Sequence, residues 1–260
     1  MNDSILLTIE NKVARITLNR PEVFNSFNRE MALSLQGILD DCDSNPDVRA
    51  IVLTGNGKAF CAGQDLKEVT DPALNPGFKK ILEEHYNPII TRIRSIKKPI
   101  IGAVNGVAAG AGANIALACD IVVAHEKVSF IQAFSLIGLV PDSAGTYFLP
   151  RLIGFQKAQA LAMLGDKISA EEAERMGMIY KSVPLEAFDE TINQLANKVS
   201  NMPTKALGLI KELFNQSMTN SLEVQLALES KLQIEAASSN DYAEGVASFI
   251  EKRKPNFKGN

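Results

Sequence analysis

The sequence has no tryptophan, two histidines and three cysteines, and these shortages narrow its chemistry from the start. His85 and His125 show no metal-ligand spacing with Cys42, Cys61 or Cys119, and three scattered cysteines make no disulfide framework. A metal enzyme and a disulfide-stapled secreted fold are therefore excluded, and a reducing cytoplasm is the expected compartment. No apolar run approaches the roughly 18 residues of a membrane span, and the first residues, MNDSILLTIENK, are too polar for a secretion signal. The formal net charge is −3 and neither sign is gathered into a block, so nucleic acid and anionic membranes are not expected partners. What the chain does have is length and apolar content: 260 residues at 46% hydrophobic can bury one large core.

Along the chain, ILLTIENKVARITLN (5–19) reads as a hairpin around Asn11-Lys12, closed by the break Arg20-Pro21. A helical pattern starts at Ser26 and places Met31, Leu33, Leu35 and Leu39 on its apolar side; Val48 to Thr54 then forms a buried strand. Further helices are predicted near 77–96 and 112–118, with strands at Ile100–Val104 and Asp120–Ala124. This is an α/β pattern with crossover connections, so the strands should run largely parallel and ligands should meet the loops at their C-terminal ends. Ser169, with Glu172 three residues on, has capping-box spacing, and Gly177 is a stop signal. After Pro203 the chain reads as helical to about Lys252. The predicted organisation is an α/β core over 1–200 and a helical module over 201–260, with no sequence repeat visible.

Two small-residue turns stand out. Gly106, Gly110 and Gly112, interleaved with alanines, let the backbone approach a ligand closely before the apolar run IALA. Phe60-Cys61-Ala62-Gly63-Gln64-Asp65 is a second such turn. Tight helix-on-strand packing accounts for the same glycines, and the spacing is not that of a dinucleotide site.

The fragments AFCAGQDL and KPIIGAVNGVAAGAGANIALACDIVVA resemble the two oxyanion-hole segments of the enoyl-CoA hydratase/isomerase, or crotonase, family, and the likeness runs from ITLNRP to EGVASFIEKRKPNF. The resemblance implies a spiral of ββα units whose C-terminal helices build a homotrimer or a dimer of trimers. It implies an acyl-CoA thioester substrate and no cofactor beyond the coenzyme A carried by that substrate. It assigns the oxyanion donors to the N–H groups of Ala62 and Ala111, beside Gly110. Gln64 and Asp65 are expected near the adenine and pantetheine, and Lys67 near a phosphate, although a solvated helix start explains these residues as well. Phe249 and Lys252 are expected to reach the nucleotide of coenzyme A held by a neighbouring subunit.

Hydratases of this family use two glutamates, and this chain has Asn114 and Phe134 at those positions. Neither side chain can move a proton, so hydration is not expected. One acid remains, Asp142 in GLVPDSAGTYFLPRL, a segment that resembles single-carboxylate isomerases acting on ring-epoxidised phenylacetyl-CoA. Such enzymes form the seven-membered oxepin thioester and also move double bonds from position 3 to position 2. A single base suits both, because one carboxylate can remove a proton from one carbon and return it to another. Phe134, with Leu136, Ile137 and Leu139, is expected to make an apolar pocket that raises the Asp142 pKa. Asn114 would order hydrogen bonds near the acyl group without adding charge. Two alternatives stay open: an aromatic acyl-CoA dehalogenase with Asp142 as nucleophile, and a non-catalytic acyl-CoA-binding protein. The dehalogenases carry a tryptophan where Phe134 stands and a histidine where Asn87 stands, and this chain has neither.

Overall fold

The computed structural model describes residues 4–260; residues 1–3, the start of the N-terminal stretch read above, lie outside the described residues. Strands β1 (Ile5–Glu10) and β2 (Val13–Leu18) pair antiparallel around Asn11 and Lys12, both at positive φ (51° and 68°), the geometry of a two-residue hairpin turn. Helix α1 (Arg29–Ser44) starts later than Ser26 because Asn28 is its N-cap, accepting from the Met31 N–H at 3.0 Å. Met31, Leu35, Leu39 and Cys42 form its buried stripe, whereas Leu33 faces outward.

Three strand pairs then repeat one plan. In β3 (Ala50–Gly55) with β4 (Ala59–Cys61), β5 (Ile100–Val104) with β6 (Val107–Ala109), and β7 (Ile121–His125) with β8 (Ser129–Ile131), a longer strand precedes a three-residue one. The longer members join a six-stranded sheet of order β1-β2-β3-β5-β7-β10, and the short members a four-stranded sheet of order β4-β6-β8-β9. Each pair advances one place in both sheets, which is a spiral. Here β9 (Lys167–Ser169) runs antiparallel to β8, and β10 (Lys181–Val183) parallel to β7. All pairings among β2, β3, β5 and β7 are parallel, as the α/β pattern predicts.

Helices follow each pair. After β4 come α2 (Leu66–Thr70), α3 (Phe78–Lys80) and α4 (Asn87–Ser95); after β6, α5 (Ala111–Leu117); after β8, α6 (Gly145–Ile153) and α7 (Phe155–Leu164). The helix expected over 77–96 is not uniform: Ile81–Tyr86 between α3 and α4 is π-helical, with the Asn87 N–H reaching Leu82 O. Pro88 explains the change of register, since it has no N–H for the Glu84 carbonyl, which accepts instead from Gln36 Nε2 of α1 at 2.8 Å.

Ser169 caps α8 (Ala170–Arg175) as its spacing predicts, and α9 (Phe188–Ser200) packs on the six-stranded sheet. The chain beyond Pro203 forms α10 (Thr204–Ser217), α11 (Leu222–Ala237) and α12 (Asn240–Ile250). Lys211 anchors α10, donating to Ile93 O (2.7 Å) and Asp120 Oδ2 (2.8 Å). Phe214, Leu222, Ile234, Phe249 and Ile250 leave an exposed apolar surface on these helices. Among the described residues, no helix is long and apolar enough to cross a membrane.

Candidate active site

Pairing of β4 with β6 sets the two small-residue turns side by side. A Cβ on Gly63 (φ +95°) would stand 3.1 Å from Ala109 O and 3.6 Å from Ala111 N, and one on Gly112 would overlap Cys61 O. Glycine at these two positions is what lets the turns touch. Gly110 (φ +54°) precedes α5, and the Phe134 ring lies over it, its Cζ 3.7 Å from where a Cβ would be. Phe134 is thus buried against the second turn.

Main-chain hydrogen bonding corrects one assignment. The Ala62 N–H donates to Phe24 O at 3.0 Å and is not available to a ligand. Phe27 takes the next peptides: its N–H donates to Gly63 O (2.7 Å) and its carbonyl accepts from Asp65 N–H (2.9 Å). In such a parallel bridge the residue between, Gln64, turns its N–H to the opposite side. Among the described residues, the N–H groups of Gln64 and Ala111 meet no protein acceptor. Ala111 opens α5, where an N–H lacks an intrahelical partner by geometry. Gln64 and Ala111 therefore each present a free N–H donor where the turns abut.

Asp142 sits in a turn held by its own carbonyl, which accepts from Gly145 N–H (2.9 Å) and from Asn114 Nδ2 (2.8 Å). Ser143 and Ala144 follow at φ 50° and 59°, an uncommon pair of left-handed conformations for residues with a Cβ. A Cβ on Gly145 would overlap the Asn114 amide. Asn114 is almost fully buried and accepts from Gln132 Nε2 at 2.8 Å, so it holds the Asp142 loop and does not reach into open space. Burial pushes the Asp142 carboxyl up from 3.8 to about 6, against the lowering effect of a 2.9 Å hydrogen bond from Ser143 Oγ. The pocket does not take its apolar character from Leu136 and Ile137, which are 65% and 67% exposed. Those side chains lie on the outer surface, where Leu136 packs on Gly165.

The remaining candidates divide. The Asp65 carboxylate has partners within the protein: it pairs with Arg20 at 2.7 Å and caps α2 through the Lys67 N–H at 2.9 Å. The Gln64 side chain is also held within the protein, between Tyr86 Oη (3.0 Å) and Glu68 Oε2 (2.6 Å). Lys67 is exposed and lines, with Arg20 and Arg29, a groove of about 560 Å³ beside the first turn. Phe249 and Lys252 lie at the end of α12, both exposed and remote in sequence from either turn. His125 is structural, bonded to Asn105 O and accepting from the Lys127 N–H. His85 is fully buried, and burial lowers its pKa. Cys61 is buried with its thiol pushed up to about 12, so it is no nucleophile. Sequence reading missed Gln132, Glu68 and Tyr86, whose roles depend on contacts between distant segments; only Pro88, which marks the π-helical turn ending at Tyr86, hinted at one of them.

A family model described as enoyl-CoA hydratase/isomerase matches residues 8–260. The chain is 46% identical to a 1,2-epoxyphenylacetyl-CoA isomerase of Escherichia coli K12 over the full length of both proteins. It is 44% identical to a protein of Rhodobacter capsulatus named "Probable enoyl-CoA hydratase", over 98% of each chain. The crystal structure of an enoyl-CoA hydratase from Bacillus anthracis superposes with a TM-score of 0.92 at 32% identity, covering 99% of this chain and 100% of that one. Spiral, abutting turns and full-length likeness agree: the chain belongs to the enoyl-CoA hydratase/isomerase family.

Proposed function

We propose that this chain is an acyl-CoA isomerase that converts ring-1,2-epoxyphenylacetyl-CoA to the oxepin thioester and shifts 3-enoyl-CoA to 2-enoyl-CoA. The observation that carries the reading is the solitary state of Asp142: the buried neighbour that holds its loop is an amide, Asn114, and the residue over the second turn is Phe134. The 46% identity to an enzyme named for the first reaction supports the same choice.

In this reading the N–H groups of Gln64 and Ala111 hold the thioester oxygen. Removal of a C2 proton by the Asp142 carboxylate puts negative charge on that oxygen, and fixed donors stabilise the resulting enolate more than the neutral thioester. Return of the proton at C4 of a 3-enoyl group completes the shift with no atom gained or lost. A carboxyl near pH 6 suits both halves, being mostly ionised at pH 7 yet acidic enough to return its proton. Gly110 and Phe134 would bound the acyl group, and Lys67 would face a coenzyme A phosphate. Phe249 and Lys252 would serve a neighbouring subunit's nucleotide in a trimer or dimer of trimers; their exposure at and just beyond the end of α12 supports this. The reaction needs no cofactor beyond the substrate's own coenzyme A.

Product analysis with ring-1,2-epoxyphenylacetyl-CoA, a straight-chain 3-enoyl-CoA and a 2-enoyl-CoA tests the reading. Isomerisation of the first two and no hydration of the third is expected; efficient hydration of the third would refute it.

A further inference from the structure

Gln64 is held at both ends of its side-chain amide by residues that have no place in the proton transfer. Oε1 accepts from the hydroxyl of Tyr86 at 3.0 Å, while Nε2 donates to Glu68 Oε2 at 2.6 Å and grazes Asp65 O at 3.5 Å. A carboxylate only accepts, so the amide orientation is fixed by Glu68. Both partners are themselves anchored. The other Glu68 oxygen accepts from the Arg29 N–H at 2.7 Å, one of the unpaired donors in the first turn of α1. Tyr86 is 1% exposed, packs edge-on against Phe27, and ends the π-helical segment. Burial holds its phenol well above its ordinary value, so the hydroxyl keeps its proton and donates.

The backbone around Gln64 needs such support. Gly63 has φ +95° and no side chain, so without the Gln64 side chain the peptide carrying the Gln64 N–H is held only by the Phe27 bridge and by the contacts of Cys61 Sγ with Gly63 N (3.3 Å) and O (3.9 Å). We infer that Glu68 and Tyr86 are positioning residues that aim the Gln64 N–H at the thioester oxygen by clamping the Gln64 side chain. This inference rests on the isomerase reading for the role of that N–H. It gives α1, α2 and the π-helical segment a common task, since each supplies one part of the clamp. Loss of a whole oxyanion donor costs about 10²–10³ in rate, so a misaimed one should cost less, about 3- to 30-fold.

The test uses the full-length protein with phenylacetyl-CoA labelled with ¹³C at the thioester carbonyl. Difference infrared spectroscopy reads the lowering of the bound carbonyl stretch, and NMR in deuterated water reads exchange at C2. Tyr86→Phe and Glu68→Ala should each lose at least half of the carbonyl shift and slow exchange by about 3- to 30-fold, with binding changed less than twofold. Gln64→Leu, which keeps the N–H but removes the clamp, should do at least as much, and adding Tyr86→Phe to it should do nothing further. A merely structural role would leave the carbonyl frequency unmoved. Retention of the full shift in Tyr86→Phe and Gln64→Leu, or an undiminished effect of Tyr86→Phe in the Gln64→Leu background, overturns the inference. Asp142→Asn separates the two readings, since it should abolish exchange while keeping the shift. Failure of the wild type to exchange would defeat the isomerase reading, and the carbonyl shift would still judge the clamp.

Discussion

Asn114 Nδ2 donates to the main-chain carbonyl of Asp142 over 2.8 Å, so a buried amide holds the loop that carries the acid. Its other end accepts from Gln132, and both bonds have the polarity that only an amide supplies. Asn114→Asp would set an acceptor against the Asp142 carbonyl and bring a second acid toward the first. We expect at least a tenfold fall in kcat, a loss of stability on the order of 1–3 kcal/mol, and an acid limb of the pH profile moved to higher pH. Steady-state assays across pH with urea unfolding check all three.

Asp142→Asn should lose about 10²-fold or more in isomerisation, the size of general-base catalysis, while acyl-CoA still binds. Its effect on stability has the opposite sign. The folded-state pKa lies above the ordinary value, so the stability linked to this carboxyl is complete below pH 3.8 and lost as pH rises through about 6. Removing the acid should therefore stabilise the protein at pH 7.5, on the order of 1–3 kcal/mol, and leave it unchanged near pH 4. Unfolding curves at the two pH values measure the difference.

Ionised Asp142 is the form that accepts the C2 proton. In the wild type, kcat/KM should be level above pH 7 and fall about tenfold per unit below about pH 6. A profile flat to pH 4.5 would mean that the base is another group or that the carboxyl is not desolvated.

Gly145 makes room for the Asn114 amide, because a Cβ would overlap it. Gly145→Ala should cost about 1–3 kcal/mol through overpacking and reduce kcat by displacing the Asp142 loop. Urea unfolding and turnover measured on the same sample should both decline; an unchanged kcat would show that the loop is held independently of Asn114.

What could be read from the sequence depended on how local each signal was. Asn11-Lys12, Ser169 with Glu172, and the apolar run Ile100–Val104 are decided by residues within a few positions, and the structure has each where it was expected. The strands β4, β6 and β8 are three residues long, too short for a periodicity, so the spiral repeat was legible only through family resemblance. Asp142 and Ala111 could be named because their motifs are contiguous. The donor in the first turn was misplaced by two residues, at Ala62, because Phe24 and Phe27 decide which N–H is engaged, and their contact with that turn is tertiary. The ion pair of Asp65 with Arg20, 45 positions earlier, is tertiary in the same way.

The central claim, one acid moving a C2 proton beside two main-chain donors, is tested most directly by incubating wild type and Asp142→Asn with phenylacetyl-CoA in deuterated water and following C2 by NMR. Deuterium entering C2 with the wild type and remaining absent with Asp142→Asn is the predicted result. Label at equal rates in both, or in neither, would contradict it.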